Sequence, residues 1–338
     1  MYTNNMSNQD VIPKAQRVMK IEQTQKKDGT ARHSLESYIE TSHSPQQAVQ
    51  QDQAEGLRRL RIQKKAPSGM KGITRVISFT SGKGGVGKTQ TIVNTAIALA
   101  RMGKSVLLLD ADLGLANVNV LLGITPKYTL QDVFSGVKSL RDILITGPEG
   151  ISIIPAASGV ESICELNAHQ KLMLLQGIED VAHSYDYLLI DTRAGISSDV
   201  MYFNTASSEI ICVINNEPTS LTDAYASIKV LSTNYGEKRV LVVANNVSDD
   251  REGMKAFTRL SQAVEKFLRI EVTYLGCIPR DGAVTQAIQH QQPVLELFPT
   301  SPASRAIGRI ASRIDEEFLQ YRVKGGMQFF FEQILAVG

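Results

Sequence analysis

The sequence predicts an α/β fold, a mostly parallel twisted sheet with helices on both faces. Two observations carry that prediction. Short runs rich in Val, Ile and Leu recur along the chain, and they are apolar throughout, as strands buried on both faces are. Helical stretches separate most of these runs, and strand–helix alternation builds parallel sheets through crossover connections. Ligands of such sheets bind outside the carboxyl ends of the strands, so strand ends are where functional side chains are expected.

Element by element, the chain begins with a segment that does not fit the sheet. Its start, "MYTNNMSNQDVIPKAQ", lacks the apolar core of a secretory signal. Residues 1–50 are rich in Gln, Ser, Asn, Thr and charge, which predicts disorder. Residues 1–72 hold 12 Lys/Arg against 7 Asp/Glu, and the remainder holds 24 against 27. A basic extension therefore precedes a slightly acidic body. It suits an acidic partner, a lipid head group or nucleic acid, although composition alone favours a solvated tail. From residue 73 the pattern changes. "ITRVISFT" reads as a strand, and "KTQTIVNTAIALARMG" as a helix that stops at Gly103. "KSVLLLDAD" is the second strand. "GISIIPA", "YDYLLIDT", "SEIICVIN", "KRVLVVANN" and "VTYLGCIP" are further strands, with helices over 167–184, 220–235 and 251–268 among them. There is no internal repeat. No run of about 18 apolar residues is present, so no membrane span is predicted and a cytoplasmic protein is expected. The three cysteines, Cys164, Cys212 and Cys277, have no metal-binding spacing and read as buried small hydrophobes.

Between the first strand and its helix lies "SGKGGVGKTQ". Gly82-x4-Gly87-Lys88-Thr89 matches a phosphate-binding loop in the right context. Glycines let backbone N–H groups turn toward phosphates, and the helix N-terminus adds partial positive charge. Lys88 is expected on the β- and γ-phosphates and the Thr89 hydroxyl on Mg²⁺. Asp191 ends "YLLIDT", where a carboxylate can hold the Mg²⁺ hydration shell. Asp110 and Asp112 end "SVLLLDAD"; one suits the metal and the other the attacking water. Strand-end aspartates also serve as turn or cap residues, but three beside one phosphate loop favour function.

At these residues the chain resembles the MinD/ParA ATPases, a branch of the P-loop NTPases. "GKGGVGKT" is similar to their deviant phosphate loop, "DADLGLANVNVLLG" to the stretch after their second strand, "LLIDTRAGIS" to their second switch, and "CIPRDGAV" to a segment packing near the base. "NNEPTSLTDAYASIKVL" points to the flagellar-number regulator (FlhG/FleN) branch. The resemblance covers roughly residues 73–320 and implies a MinD-like P-loop domain over that span. It implies an ATPase that uses ATP and Mg²⁺, is completed by homodimerisation, and converts ATP to ADP and phosphate. The nucleotide would be held by Gly82, Lys83, Gly84, Gly85, Val86, Gly87, Lys88, Thr89 and Gln90. Lys83 is implied to reach across the dimer to the other subunit's phosphates, with Lys88 serving its own. Asp112 matches the aspartate that positions the hydrolytic water, and Thr89, Asp110 and Asp191 match the Mg²⁺ site. Asn245 and Pro279, Arg280 and Asp281 match positions around adenine, and Glu217 one near the ribose of the opposite subunit. A second cation in a closed site also has a physical rationale, since negative charge grows on the phosphates in the transition state.

Two flanking segments refine the expectation. In "DQAEGLRRL" (52–60), Ala54, Leu57 and Leu60 form one apolar stripe if helical, with Asp52 as a cap. It resembles the element by which these regulators stimulate a signal-recognition-type flagellar GTPase. In "KGGMQFFFEQILAVG", Met327, Phe330, Phe331, Ile334, Leu335 and Val337 share one helical face, expected over 321–338 to bind membrane lipid reversibly at the inner face of the cell membrane. Packing on its own domain is the alternative use of either helix. The resemblance further implies flagellar switch proteins or a flagellar transcription activator as partners, and no specific nucleic acid. Arg193 stands where the family usually has a small residue, and Gln90 where it commonly has Thr. These departures keep open a nucleotide-gated binding module with little turnover. A ParA-like partitioning ATPase is the other alternative, weakened by the acidic body. An iron–sulfur carrier lacks its cysteine pair.

Overall fold

The computed structural model describes residues 74–112, 117–156 and 166–317. The predicted extension over 1–72, with its 52–60 element, and the predicted helix over 321–338 lie outside the described residues.

Among the described residues, eight strands form one sheet. They are β1 (Arg75–Thr80), β2 (Val106–Ala111), β3 (Ile145–Thr146), β4 (Ser152–Ile154), β5 (Tyr187–Thr192), β6 (Glu209–Ile214), β7 (Arg239–Val247) and β8 (Glu271–Pro279). Their order is β3-β4-β2-β5-β1-β6-β7-β8, parallel throughout except for β3, which runs antiparallel to β4 at the edge. The predicted fold class is therefore observed. Every residue of β1, β2 and β5 is buried, which is why these strands read as unbroken apolar runs.

Alternation along the strands divides the core. Ile77, Phe79, Leu108, Leu189, Ile211 and Val243 face one side, under α1 (Lys88–Arg101) and the last described helix. Leu107, Leu109, Leu188 and Ile190 face the other, covered by α2 (Asn117–Leu121)'s successors α3 (Leu130–Phe134), α4 (Ala168–Ala182) and α5 (Ser198–Ala206). Further along that face, Cys212, Ile214, Val240 and Val242 pack under α6 (Pro218–Tyr235) and α7 (Asp250–Phe267). Cys212 and Cys277 are both buried, as small hydrophobes are. Cys164 lies outside the described residues.

After β8 come α8 (Gly282–Gln289), α9 (Val294–Leu297) and α10 (Pro302–Glu317). Polar ties lock α10 onto the sheet. Buried Arg75 pairs with Glu209 of β6 and donates to the Ile314 carbonyl. Tyr187 Oη donates to Asp315 Oδ1 at 2.6 Å, and Arg313 Nη1 to the Leu275 carbonyl at 2.6 Å. Among the described residues no helix is long and apolar enough to cross a membrane.

The topology fixes where a ligand sits. From β1 the chain crosses over β5 to reach β2, and from β5 it crosses over β1 to reach β6. The order thus reverses around β1, and a crevice opens at the carboxyl end of that strand. The phosphate loop leaves β1 there.

Candidate nucleotide site

The loop's shape depends on two glycines. A Cβ on Gly82 would fall 2.1 Å from the carbonyl carbon of Asp223, so only glycine lets the loop pack against the backbone of α6. Gly87, at φ +85°, occupies the left-handed region just before α1. Asn245, from β7, lies against it and donates from Nδ2 to the Val86 carbonyl at 2.7 Å. Expected beside adenine, Asn245 here also braces the loop. Val86 points into the core. Helix α1 begins at Lys88 with no acidic residue in its first turn, leaving the positive end of its dipole toward the loop.

Lys88 and Asp191 meet as a buried pair, Nζ to Oδ1 at 2.6 Å. Asp191 Oδ2 is buried and has no hydrogen-bond partner among the described residues. Asp110 sits beside it, in Cα register across β2 and β5. Its carboxylate accepts the N–H groups of Asp112 (3.2 Å) and Val118 (3.1 Å). Burial, together with the like charge of Asp191, pushes the Asp110 carboxyl up to about 8 despite those bonds. Two clustered carboxylates, one with an unpartnered buried oxygen, and the Thr89 hydroxyl on the first turn of α1 fit Mg²⁺, which takes one or two carboxylates and fills its shell with phosphate and water. Held there, Mg²⁺ would supply positive charge to the phosphates. Gln90 turns along α1 instead, accepting from Asn94 Nδ2 at 3.1 Å.

Asp112 lies just past β2. Its Oδ1 accepts from Arg193 Nε at 3.1 Å and its Oδ2 from Asn117 Nδ2 at 3.0 Å. Arg193 follows β5 on a turn tied to the loop by the Gly195 N–H, which donates to the Ser81 carbonyl at 2.9 Å.

Lys83, the second loop lysine, points toward α6. Its Nζ donates to Glu217 Oε2 at 2.6 Å and Thr219 Oγ1 at 3.1 Å. The ammonium holds the Glu217 carboxyl below the usual carboxylate range. The expectation placed both residues toward a second subunit; within one chain they face each other. Thr219 and Asn117 were not singled out by the sequence. Thr219 follows Pro218 in the first turn of α6, and a small hydroxyl residue there is the signal that could have found it.

On the predicted base side, Pro279 ends β8 and Arg280 is exposed, its Nε donating to Asn246 Oδ1 at 3.3 Å. Asp281 is committed elsewhere. It caps α8 by accepting the Ala283 N–H at 2.9 Å and also accepts the Ala303 N–H at 3.0 Å. Burial opposes its ionisation, yet these N–H groups outweigh it and hold the carboxyl below its usual range. Its side chain thus shapes this edge through the backbone.

The additional lysine at 83, beside a strand-end carboxylate on the loop lysine, defines a P-loop ATPase of the deviant type. The family described as "AAA domain" (AAA_31) matches residues 74–238. The antiactivator FleN of Pseudomonas aeruginosa is 46% identical over 261 residues, 77% of this chain and 93% of that protein. The flagellum site-determining protein YlxH of Helicobacter pylori is 32% identical over 78% of this chain and 91% of its own length. Among solved structures, the septum site-determining protein MinD of Pyrococcus horikoshii, complexed with Mg-ADP, superposes with a TM-score of 0.61 at 28% identity, covering 74% of this chain and all of that one. The chain belongs to the MinD/ParA-type ATPases, in the FleN/FlhG branch. It is an ATPase whose ligands are ATP and Mg²⁺.

Proposed function

We propose that this ATPase is a dimerisation switch that controls flagellar number or placement. ATP would favour a dimer held at the inner face of the cell membrane, and hydrolysis would release it. The observation that carries the reading is Lys83. It stands in the phosphate loop, 37% exposed, and its carboxylate partner Glu217 is 55% exposed. A pair this open to water is weakly held, so Lys83 is available to the phosphates of a second copy. In this reading Lys88 serves its own subunit's phosphates, Thr89, Asp110 and Asp191 hold Mg²⁺, and Asp112 orients the attacking water. Glu217 then approaches the ribose across the dimer, and Asn245 with the Pro279–Asp281 backbone borders the base.

The names of the relatives, an antiactivator and a flagellum site-determining protein, support the flagellar assignment and suggest a transcription activator as a further partner. The stripe over 52–60 supports docking onto a partner GTPase. The apolar face over 327–337 supports lipid binding, weak for one copy and strengthened by avidity in a dimer.

The test is mass in solution with ATP, ADP and no nucleotide, for wild type and Lys83→Ala. It is paired with vesicle co-sedimentation of the full chain and a chain ending at Lys324. A dimer confined to ATP, with lipid binding that needs both ATP and the last segment, is expected. Equal mass and equal lipid binding in every case would refute the switch. A second reading, a nucleotide-gated binding module with little turnover, is favoured by the Arg193–Asp112 contact. Hydrolysis that rises with protein concentration and vanishes in Asp112→Ala would exclude it.

A further inference from the structure

We infer that Arg193 is a positioning residue that restrains Asp112 and slows ATP hydrolysis. The inference rests on the reading that Asp112 orients the attacking water.

Both oxygens of Asp112 are engaged, Oδ1 by the Arg193 guanidinium at 3.1 Å and Oδ2 by the Asn117 amide at 3.0 Å. The contact is built in by its surroundings. On one side of Arg193, the Thr192 hydroxyl donates to the Phe79 carbonyl of β1 at 2.9 Å. On the other, the Gly195 N–H donates to the Ser81 carbonyl at 2.9 Å. The turn carrying Arg193 is thus pinned at both ends to β1 and the start of the phosphate loop, which delivers the guanidinium to one place. Asp112 is nearly buried, with 10% of its side chain exposed, and Arg193 closes over it.

A carboxylate that aims a water at phosphorus needs an accessible lone pair and its full negative charge turned toward that water. A charge-assisted N–H···O bond takes up one oxygen, fixes the carboxylate plane and competes with the water for the same charge. Asp112 then serves hydrolysis only in the fraction of time that Arg193 is displaced. For a partly exposed pair of this kind the preference is roughly fivefold. Removing the guanidinium should therefore raise turnover about fivefold, without changing the groups that bind the nucleotide. A guanidinium acting instead on the phosphates would have the opposite signature, since its loss would lower turnover.

The experiment measures steady-state ATP hydrolysis by the full chain at a fixed, dimer-forming concentration. The proteins are wild type, Arg193→Ala, Arg193→Lys, Asp112→Ala and the double variant Asp112→Ala/Arg193→Ala, with ATP binding and thermal melting measured on each. Expected are a kcat about fivefold higher in Arg193→Ala, a KM within twofold of wild type, and a value nearer wild type in Arg193→Lys. The double variant should match Asp112→Ala, because the gain comes from releasing that carboxylate. If Arg193→Ala binds ATP poorly or melts early, Arg193→Gln, which keeps the side-chain stem, carries the same expectation. A kcat in the folded, ATP-binding variant equal to or below wild type overturns the inference. If Asp112→Ala is inactive while Arg193→Ala turns over like wild type, this inference alone fails. If Asp112→Ala hydrolyses like wild type, the water-orienting reading fails and takes this inference with it.

Discussion

Replacing Lys83 by alanine separates what the second loop lysine does for the fold from what it does for the chemistry. Within one chain its contacts are Glu217 and Thr219, both reached from an exposed ammonium. Exposed pairs of this kind contribute little to stability. The loop also has stronger supports, the Asn245–Val86 bond and the packing of Gly82 on α6. Lys83→Ala should therefore melt within about 2 °C of wild type, since even a full surface pair moves a domain of this size by only a few degrees. ATP affinity should change less than about threefold, because Lys88 and the loop backbone remain. Turnover should behave differently. Removing one donor aimed at developing transition-state charge costs about 10²–10³ in kcat, and that is the loss expected if Lys83 completes the site of a second copy. The assay is phosphate release against protein concentration. Wild type should show a rate per subunit that climbs as dimers form, and Lys83→Ala a low, flat line. Mixing supplies a control, because wild-type Lys83 would complete the variant's site in a mixed dimer, so activity per wild-type subunit should persist in excess Lys83→Ala and fall in an excess of Lys83→Ala/Asp112→Ala. A Lys83→Ala protein whose rate climbs with concentration like wild type would refute the reasoning and leave Lys83 as an ordinary partner of Glu217.

Other consequences follow from the same contacts. Asp191→Ala strands the Lys88 ammonium in a buried site, and breaking such a pair costs about 3–5 kcal/mol. At the lower value, nucleotide-free melting should drop by roughly 6–12 °C. Calorimetry checks this. Gly82→Ala drives a Cβ into the Asp223 backbone at 2.1 Å, and the rigid helix cannot yield as a side-chain tip would. Titration calorimetry should find ATP affinity reduced more than about tenfold, at a cost in stability of about 1–3 kcal/mol. The buried thiols give a pH signature. Burial raises Cys212 to about 12 and Cys277 to about 11, whereas a free thiol ionises near 8.5. Between about pH 9 and 11 the unfolded chain therefore holds fewer thiol protons than the folded one, and stability falls as pH rises. At pH 8 both should resist alkylation until the protein is unfolded, a difference that mass spectrometry reads directly.

Legibility in the sequence tracked burial and locality. "VLLLDA" and "YLLIDT" are buried along their whole length, so their composition alone gave them away as strands. Ile145–Thr146 was not legible. It is a two-residue antiparallel edge strand, half exposed, too short to show a period. The short helices around it and after β8 escaped for the same reason. In the site, the loop and its following helix form one continuous motif, so Gly82 to Thr89 could be read directly. The meeting of Asp110 with Asp191 required the knowledge that β2 and β5 are neighbours, which strand composition does not encode. Arg193 and Asp112 lie 81 positions apart, and Lys83 and Thr219 136 apart. Such contacts arise only when the fold brings strand ends together, and no local pattern records them.

Three cations in this site each have a carboxylate of the same chain, and the three pairs differ in a way that orders their use. Lys88 and Asp191 are almost fully shielded, at 9% and 0% exposed. Interactions there are strong because little water screens them, so the lysine is already fixed at the mouth of the loop when phosphate arrives. Arg193 and Asp112 are intermediate, with the carboxylate shielded and the guanidinium open to solvent at 37%. That pair opens for part of the time, less readily than a pair exposed on both sides. Lys83 and Glu217 are open on both sides, and water can replace either partner at little cost. The gradient runs from the floor of the crevice to its rim. A group fixed before binding belongs on the floor. A group that must change partner when a second copy arrives belongs on the rim, where screening keeps its first partner weak. The same two lysines placed in the reverse order would bind phosphate loosely and hold the rim lysine too tightly to release it. The burial gradient, more than the count of lysines, is what would make nucleotide binding and hydrolysis separable steps.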